Sequence, residues 1–181
     1  RVLSLPDEAG TVLTSASDLT GVTGVPANFV SYAIIADVKS SSTDGGTFTS
    51  GGHQTRDLNT ELADPDGIVS ISSNQFTLGA GTYYIRWSCP AHAVNTHQSQ
   101  MENVSDSTID IVGTTGYTPN ADNVVVHSFG SGRITIASTK TFEIEHRCEV
   151  TKSTNGFGIR SAGAGSSSNS VYTIVEIFKE A

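Results

Sequence analysis

The feature that most constrains the fold is a strict alternation of side-chain character along residues 142–150. One series is largely apolar and contains Phe142, Ile144, His146, Cys148 and Val150, whereas the other contains Glu143, Glu145, Arg147 and Glu149. Successive side chains of a β-strand point to opposite faces of its sheet, so this period of two indicates a strand with one buried and one wet face. The pattern predicts an antiparallel sheet.

The same period of two recurs along the chain. The residues that share a face are Val30, Tyr32, Ile34 and Val38 in one segment, Tyr83, Ile85, Trp87 and Cys89 in a second, and Ile134 and Ile136 in a third. Residues 171–178 are apolar on both faces apart from Thr173 and Glu176, which predicts a central strand. No segment of about ten residues has the 3.6-residue period of a helix. Roughly eight to ten short strands separated by turns predict an all-β sandwich or barrel.

Turn-forming residues separate the strands. These segments are Ser40–Gly52, Asp64–Gly67, Gly113–Asn123 and Lys152–Ser170. Long loops on a rigid β scaffold are where binding residues concentrate. The predicted binding residues are Asn95, His97, Tyr117, Asn120, Asn155, Phe157 and Arg160. Together they combine apolar platforms with hydrogen-bond donors, which suits a carbohydrate or a protein surface; the alternative for each of them is an ordinary loop residue.

The first 28 residues differ from the rest. They contain short apolar pairs and glycines but no sustained period, so they have too little apolar surface to fold alone. We interpret residues 1–28 as the end of a shaft or a linker, and residues 29–181 as one domain. The sequence begins with Arg1 instead of Met, and we therefore expect a fragment of a longer protein.

Charge and hydropathy exclude several partners. The formal net charge is −8 and no basic run occurs, so neither nucleic acid nor an anionic membrane face is an expected partner. No apolar run approaches the ~20 residues that span a bilayer, so membrane insertion is not expected. Cys89 and Cys148 allow one disulfide at most, and the sequence leaves open whether they are bonded or are two buried thiols.

Candidate metal ligands are few. His92 and His97 flank the segment 90–98 and offer half of a transition-metal site, but their spacing matches no established zinc motif. A solvated or structural loop is the preferred interpretation. His146 lies on the apolar face of its strand and is expected to be a core or interface histidine. We therefore predict no metal and no cofactor.

Glu143 and Glu145 are the candidate catalytic pair. They share a strand face, and their carboxyl groups are expected ~5–7 Å apart. This separation overlaps the range that glycosidases use. Arg147 and Glu149 continue the same face, however, which indicates a solvated, salt-bridged surface. No nucleophile elbow, phosphate-binding loop or zinc-protease helix is present, so we predict a protein without catalytic residues.

Two stretches resemble known families. Residues 75–85, which read QFTLGAGTYYI, resemble the signature of the tumour-necrosis-factor-like jelly roll that complement-type globular heads share. The closing segment 171–178 stands where that family has its last strand. Residues 5–14, which read LPDEAGTVLT, resemble the segment that often precedes the terminal domain of phage tail-fibre proteins. The chain departs from some complement-type heads because it has no recognisable cluster of calcium ligands.

The resemblance implies an antiparallel jelly-roll head at the C-terminal end of a phage tail fibre, on a short extended stalk. Such heads are usually homotrimers whose inner sheets pack around a threefold axis. The implied role is non-catalytic binding of a host-surface receptor, either a glycan or an outer-membrane protein, at the fibre tip of the extracellular virion. The rest of the fibre, preceding Arg1, would be a further partner. Two alternatives remain, namely a capsid decoration or head-fibre structural protein, and a surface-polysaccharide depolymerase.

Overall fold

A computed structural model describes residues 29–160 and 168–181; the stalk expected at residues 1–28 lies outside the described residues. The strands are β1 (Phe29–Lys39), β2 (Gln54–Thr55), β3 (Thr60–Ala63), β4 (Val69–Ser72), β5 (Gln75–Leu78), β6 (Gly81–His92), β7 (Asn95–Asn103), β8 (Thr108–Thr118), β9 (Val125–Ile136), β10 (Lys140–Cys148) and β11 (Ser170–Glu180). Within these two ranges there is no helix, and so none that is long and apolar enough to cross a membrane.

Two antiparallel sheets form the sandwich. The five-stranded sheet has the order β3-β1-β11-β6-β9. The six-stranded sheet has the order β4-β5-β10-β7-β8, with the short β2 paired to β10. Strand β11 lies between β1 and β6, which confirms the central position predicted from its two apolar faces. The all-β antiparallel architecture expected from the alternation is likewise confirmed.

The main core fills the space between the two sheets. Its buried residues are Ala33, Ile35, Leu58, Val69, Phe76, Leu78, Tyr83, Ile85, Trp87, Cys89, Met101, Ile134, Ile136, Phe142, Ile144, Val175 and Ile177. The inward face predicted for β6 is confirmed. Trp87 donates from Nε1 to Ser99 Oγ over 2.8 Å, so its polar atom is satisfied inside the core. A Cβ atom at Gly130 would overlap the Trp87 indole, and glycine therefore allows β9 to cross the ring.

Strand β1 is apolar on both faces. Ala33 and Ile35 pack in the main core, whereas Val30 and Tyr32 are exposed on the opposite face. Ile34 and Val38 are half-buried and alternate with the buried Ile35 and Asp37, as the period of two predicts. The register with β11 shifts between Ala36 and Val38, but the extra residue lies on β11, which advances from Ile174 to Val171.

The loops at one end of the sandwich enclose a second core. This loop-end core contains Phe48, Ala91, Val94 and Phe157, with Cys148 packed against it. Backbone hydrogen bonds join the two longest loops, because the Phe48 and Lys152 amides each donate to the other's carbonyl oxygen over 2.9 Å. The His92 amide donates to the carbonyl oxygen of Gly156 over 2.9 Å. The loop end is therefore a packed, hydrogen-bonded unit.

Two predicted loops are strands. The segment 90–98 contains only a tight turn at Ala93 and Val94 between β6 and β7, and β8 continues as far as Thr118. The prediction of a loop from residue 113 onward is wrong, because glycines such as Gly113 and Gly116 are typical turn residues. Inside β8 they serve close packing, because a Cβ at Gly113 would lie 2.7 Å from Ser99 Oγ and one at Gly116 would lie 2.5 Å from the His97 ring.

Candidate functional site

The residues predicted to bind lie around the loop end. The Asn120 amide donates to Asn95 Oδ1 over 3.2 Å, and Asn95 pairs with Thr118 across β7 and β8. Asn155 lies in the loop that forms a bridge to Gly46. The structure thus brings the strand ends and the loops together, although Asn95, His97 and Tyr117 belong to strands and the prediction of loop positions for them is wrong.

Two of the predicted binding residues are buried. Phe157 packs in the loop-end core, where its ring centroid lies 4.5 Å from that of Phe48. His97 faces the interior and is 3% exposed. Neither side chain is presented to a ligand at the surface, because both face the interior. By contrast, Tyr117 is 57% exposed and Arg160 is exposed as well.

An open groove of about 800 Å³ crosses the outer face of the six-stranded sheet near the loop end. The side chains of this Tyr117–Arg147 groove belong to Thr96, Gln98, Thr115, Tyr117, Arg147 and Glu149. They form two rows, since side chains opposite one another on paired strands lie on the same face. Thr115, Gln98 and Arg147 make one row. Tyr117, Thr96 and Glu149 make the next, two residues along the strands.

The two rows differ in charge. In the first, Arg147 donates from Nη2 to Gln98 Oε1 over 3.2 Å. In the second, Glu149 Oε2 accepts from the Thr96 hydroxyl over 2.7 Å and from its amide over 3.3 Å. The hydrogen bonds from Thr96 lower the pKa of Glu149, so this carboxylate is charged at neutral pH. The groove therefore holds a cation and an anion on different rows, with one aromatic ring at its rim.

Histidines lie behind this groove, on the inner face of the same strands. His97 Nδ1 and His146 Nε2 are 3.0 Å apart and share one hydrogen bond. Burial, followed by the charge of Arg56, lowers the pKa of His97 to about 4 and that of His146 well below its ordinary value. Both rings are therefore neutral at pH 7. The expectation that His146 is a core histidine is confirmed. Of the two alternatives expected for the segment of His92 and His97, a solvated or a structural loop, the solvated one is wrong, since both side chains are buried.

The guanidinium of Arg56 is buried beside the loop-end core. Arg56 is fully buried and donates from Nε to Thr173 Oγ1 over 2.8 Å, and from its two Nη atoms to the carbonyl oxygens of Pro90 and Phe157 over 3.3 and 3.1 Å. Its Cζ atom lies 4.0 Å from the centre of the Phe157 ring. The sequence offered no signal for this role, since Arg56 lies between turns and has no apolar period around it.

Three glutamates meet on the outer face of the six-stranded sheet, and Glu145 among them is the next residue along that face of β10 from Arg147. Carboxylate oxygens of Glu102, Glu143 and Glu145 lie within 4.8 Å of one another. Glu143 accepts from Thr55 and Gln75, over 2.9 and 2.8 Å. Burial, and then the charges of Glu145 and Glu143, raise the pKa of Glu102. An oxygen-only set of this kind suits a hard cation.

The environment of these carboxylates differs from the solvated, salt-bridged strand face that the sequence predicted. Within residues 29–160 and 168–181, no ion pair involves Glu143, Glu145 or Glu149, so the prediction of a salt-bridged face is wrong. The physical reason is the register, which places Glu102 rather than a base opposite Glu143. Sequence reasoning missed Glu102 because it lies on another strand.

The outer face of the five-stranded sheet is aromatic. Phe29 is 52% exposed, and its ring centroid lies 5.1 Å from that of Phe178 and 6.3 Å from that of Tyr84. Tyr32 stands opposite Phe178 and is also exposed. Beside this cluster an open groove of about 600 Å³ runs between Tyr84 and the exposed Phe129. A cluster of exposed aromatic side chains of this kind indicates an interaction face.

The two cysteines are free thiols in the structure. Burial raises the pKa of Cys89 and of Cys148 to about 11. Both are therefore protonated at neutral pH, and a protonated thiol is a poor nucleophile. Of the two alternatives that the sequence left open, the structure has two free thiols rather than a disulfide. Cys89 is buried, as that alternative expected, whereas Cys148 is half-buried.

No protein-family model matches this chain, and no curated protein matches its sequence. Solved structures do match its fold. The globular domain of zebrafish complement 1qA protein is 12% identical with a TM-score of 0.52, over 82% of this chain and 96% of its own. Murine APRIL at pH 5.0 is 8% identical with a TM-score of 0.53, over 82% and 98%. The PRD1 vertex protein P5 is 10% identical with a TM-score of 0.53, over 84% and 98%.

These likenesses show the fold. The chain is an antiparallel jelly roll of the tumour-necrosis-factor and complement type, as residues 75–85 and the closing strand predicted. The structures with this fold include a phage vertex protein. At identities of 8–12% the comparison describes architecture alone.

Proposed function

We propose that this domain is the trimeric, non-catalytic head of a phage fibre and that it binds a receptor on the host surface. The observation that carries the proposal is the difference between the two outer faces of the sandwich. One face is aromatic and suits association with copies of the same chain. The other holds an open polar groove that suits an external ligand. Residues 1–28 would connect the head to the rest of the fibre.

Self-association uses the five-stranded sheet in this proposal. Phe29, Tyr32 and Phe129 are large and exposed on it, and the core of a stable interface is enriched in aromatic side chains. Glu176 accepts two hydrogen bonds from Arg86, over 2.6 and 2.8 Å, so the charges among these rings are paired before any association. A paired charge costs less to bury than an isolated one. Closed symmetry of three copies would cover this face.

Receptor binding uses the six-stranded sheet and the loop end. Tyr117 and Arg147 face solvent there, and Asn120 and Arg160 are exposed nearby. Exposed aromatic and hydrogen-bonding side chains on a rigid scaffold are the usual material of a recognition site. Two observations support a location on the extracellular virion. They are the structural similarity to a phage vertex protein and the resemblance of residues 5–14 to a segment of phage tail-fibre proteins.

The test combines mass in solution with cell binding. We expect the purified chain to have the mass of three copies by light scattering, and the labelled protein to bind intact cells of some strains in a panel of bacteria and not others. Tyr32→Asp should lower the mass to that of one chain. Ile109→Asp is the matched control, because Ile109 is an exposed apolar residue of the other sheet and should leave the trimer intact. A monomeric wild-type protein that binds no strain would overturn the proposal.

A structural role in the capsid is the second candidate, and the likeness to a vertex protein favours it. In that case the trimer would bind purified capsids that lack it and would bind no cells. A depolymerase would instead release reducing ends from host polysaccharide, and Glu143→Gln would abolish the release. We expect no release, because Glu143 already holds Thr55 and Gln75.

A further inference from the structure

The charged side chains of this surface are not equally satisfied. Among the exposed arginines of the described chain, Arg86, Arg133 and Arg160 each pair with a carboxylate, over 2.6, 2.8 and 2.9 Å. Arg147 pairs with none, although Glu145 and Glu149 each lie two residues away on the same strand face. Glu145 accepts from Gln100 and Glu149 from Thr96 instead. Its one hydrogen bond goes to the neutral amide oxygen of Gln98. A guanidinium has five N–H groups, so most of its donors stay available.

We propose that the Tyr117–Arg147 groove binds an acidic oligosaccharide, with Arg147 holding the carboxylate of one sugar and Tyr117 stacking on the apolar face of a neighbouring sugar. This inference rests on the proposed receptor-binding function and names the ligand class of that site. A planar guanidinium matches a carboxylate with two parallel hydrogen bonds, which a neutral sugar does not offer.

The length of the ligand follows from the sheet. Three neighbouring strands carry each row of side chains, so a row extends over roughly 10 Å, and the two rows lie roughly 7 Å apart along the strands. Tyr117 and Arg147 occupy opposite ends of different rows. That separation exceeds one sugar ring, so the ligand has at least two sugars.

The remaining side chains favour a sugar over an acidic peptide. Thr96, Gln98 and Thr115 line the groove with hydroxyl and amide groups. The Thr96 hydroxyl donates to Glu149 but can still accept, and the Gln98 amide donates one N–H to the Gly113 carbonyl oxygen and keeps the other for a ring hydroxyl. Glu149 accepts from Thr96 at Oε2 and also interacts with the Asn95 side chain, and a carboxylate has further lone pairs that can accept a hydroxyl donor. Its negative charge, in the row of Tyr117, disfavours a second ligand carboxylate there. The acid group is therefore directed to the Arg147 end, whereas a poly-acidic peptide would place charge against Glu149.

The experiment uses the full chain and an array of acidic glycans, including a galacturonic acid tetrasaccharide, sialyllactose and polysaccharide extracted from any strain that the protein binds. Each is presented beside its carboxyl-reduced, neutral counterpart, and poly-glutamate is included. We expect at least one acidic glycan to bind ten times or more tightly than its reduced form. Arg147→Gln should remove this preference, and Tyr117→Ala should weaken binding of acidic and reduced forms alike.

Lys140→Gln is the matched control, because it removes one positive charge from the same strand at the end remote from the groove, and it should change nothing. The inference is overturned by reduced glycans that bind as tightly as acidic ones, by poly-glutamate that binds equally well, by an array with no carboxylate-dependent binding, or by an Arg147→Gln variant that keeps the preference.

Failure of this inference differs from failure of the proposed function. If Arg147→Gln and wild type bind the same cells equally, and binding survives removal of surface glycans, the receptor is a protein. In that case the proposed role as a receptor-binding head is retained, and the proposal of an acidic oligosaccharide ligand is rejected. If acidic glycans bind through Arg147 but no cell is bound, the sugar site stands and the host-attachment role is wrong.

Discussion

The sandwich contains two buried clusters that adjoin along the same strands but differ in chemistry. The main core is built from apolar side chains, and the polar group of Trp87 finds its partner at Ser99. The loop-end core has only four buried apolar residues, and around them lie Arg56, His92, His97 and His146. Three of these four are histidines with ring nitrogens that lack a hydrogen-bond partner.

The difference shows how one fold combines a scaffold with a recognition end. Apolar burial is non-directional and independent of pH, so the main core supplies stability that does not change with pH. Buried polar groups stabilise only when their partners and protonation states are correct. The loop-end core therefore depends on specific contacts, and it lies directly behind the Tyr117–Arg147 groove. The following changes separate the two clusters, from the largest expected effect to the smallest.

Trp87→Ala tests the main core. Removal of a large buried aromatic side chain leaves a cavity, so we expect the free energy of unfolding to fall by about 3–5 kcal/mol. Ser99 loses the indole donor but keeps its hydrogen bond with Ser128. Urea denaturation followed by circular dichroism measures this change. Val112→Ala is the control, because Val112 is 62% exposed and should cost little. A near-neutral Trp87→Ala would mean that the main core does not depend on its largest side chain.

Acidification tests the loop-end core. His97 has a pKa of about 4 in the folded chain against an ordinary value of 6.5, so between these values the unfolded chain binds the extra proton. Stability is complete above about pH 6.5 and falls as the pH drops toward the pKa of His97, about 4, and the lowered pKa of His146 acts in the same direction. Denaturation curves measured from pH 7 to pH 4 give the slope of the free energy of unfolding against pH.

The control for the acid effect is Val112→Ala, which changes an exposed side chain that carries no titrating group and should leave the pH dependence of the free energy of unfolding unchanged. His146→Phe should flatten the slope, because it removes one of the two buried titrating rings. A wild-type protein whose stability is constant from pH 7 to pH 4 would contradict the assignment of these histidines as buried and neutral.

Arg56→Met tests the buried cation. Methionine keeps the volume but leaves the carbonyl oxygens of Pro90 and Phe157 without their donor, and buried acceptors without a partner cost roughly 1–3 kcal/mol. The loop of residues 149–160 should become more sensitive to protease. Arg160→Met, which breaks a surface ion pair with Asp44, should cost about 1 kcal/mol or less. If the two substitutions lowered the free energy of unfolding equally, the buried hydrogen bonds of Arg56 would contribute no more to stability than a surface ion pair.

Tyr117→Ala should have the smallest effect on stability. The side chain is exposed on β8, so the free energy of unfolding should change by about 0.5 kcal/mol or less. Receptor and glycan binding should nevertheless fall, because the ring is the aromatic platform of the groove. Calorimetry for stability and glycan titration for binding separate the two readouts. A large loss of stability would show that Tyr117 belongs to the scaffold.

Much of the scaffold was predictable from local pattern. A period of two identified the inward face of β6 and the alternation in β10, because pleating alone dictates which neighbours share a face. The apolar character of β11 on both faces predicted its central position for the same reason. The candidate site was less predictable. Tyr117 and Arg160 are exposed as expected, but His97 and Phe157 are buried, because the register and the loop packing that cover them involve residues distant in sequence.

The amino-acid sequence by itself determined the fold class, since the alternation of side chains and the turn residues are local properties that any antiparallel sheet must obey. Only the tertiary structure decided which residues meet across strands. It set Arg147 beside Gln98 rather than an acid, gathered Glu102 with Glu143, and placed Arg56 under Phe157. The reason is that strand register and loop packing arise from burial of the whole chain, and the same periodic pattern is compatible with several pairings until that burial selects one.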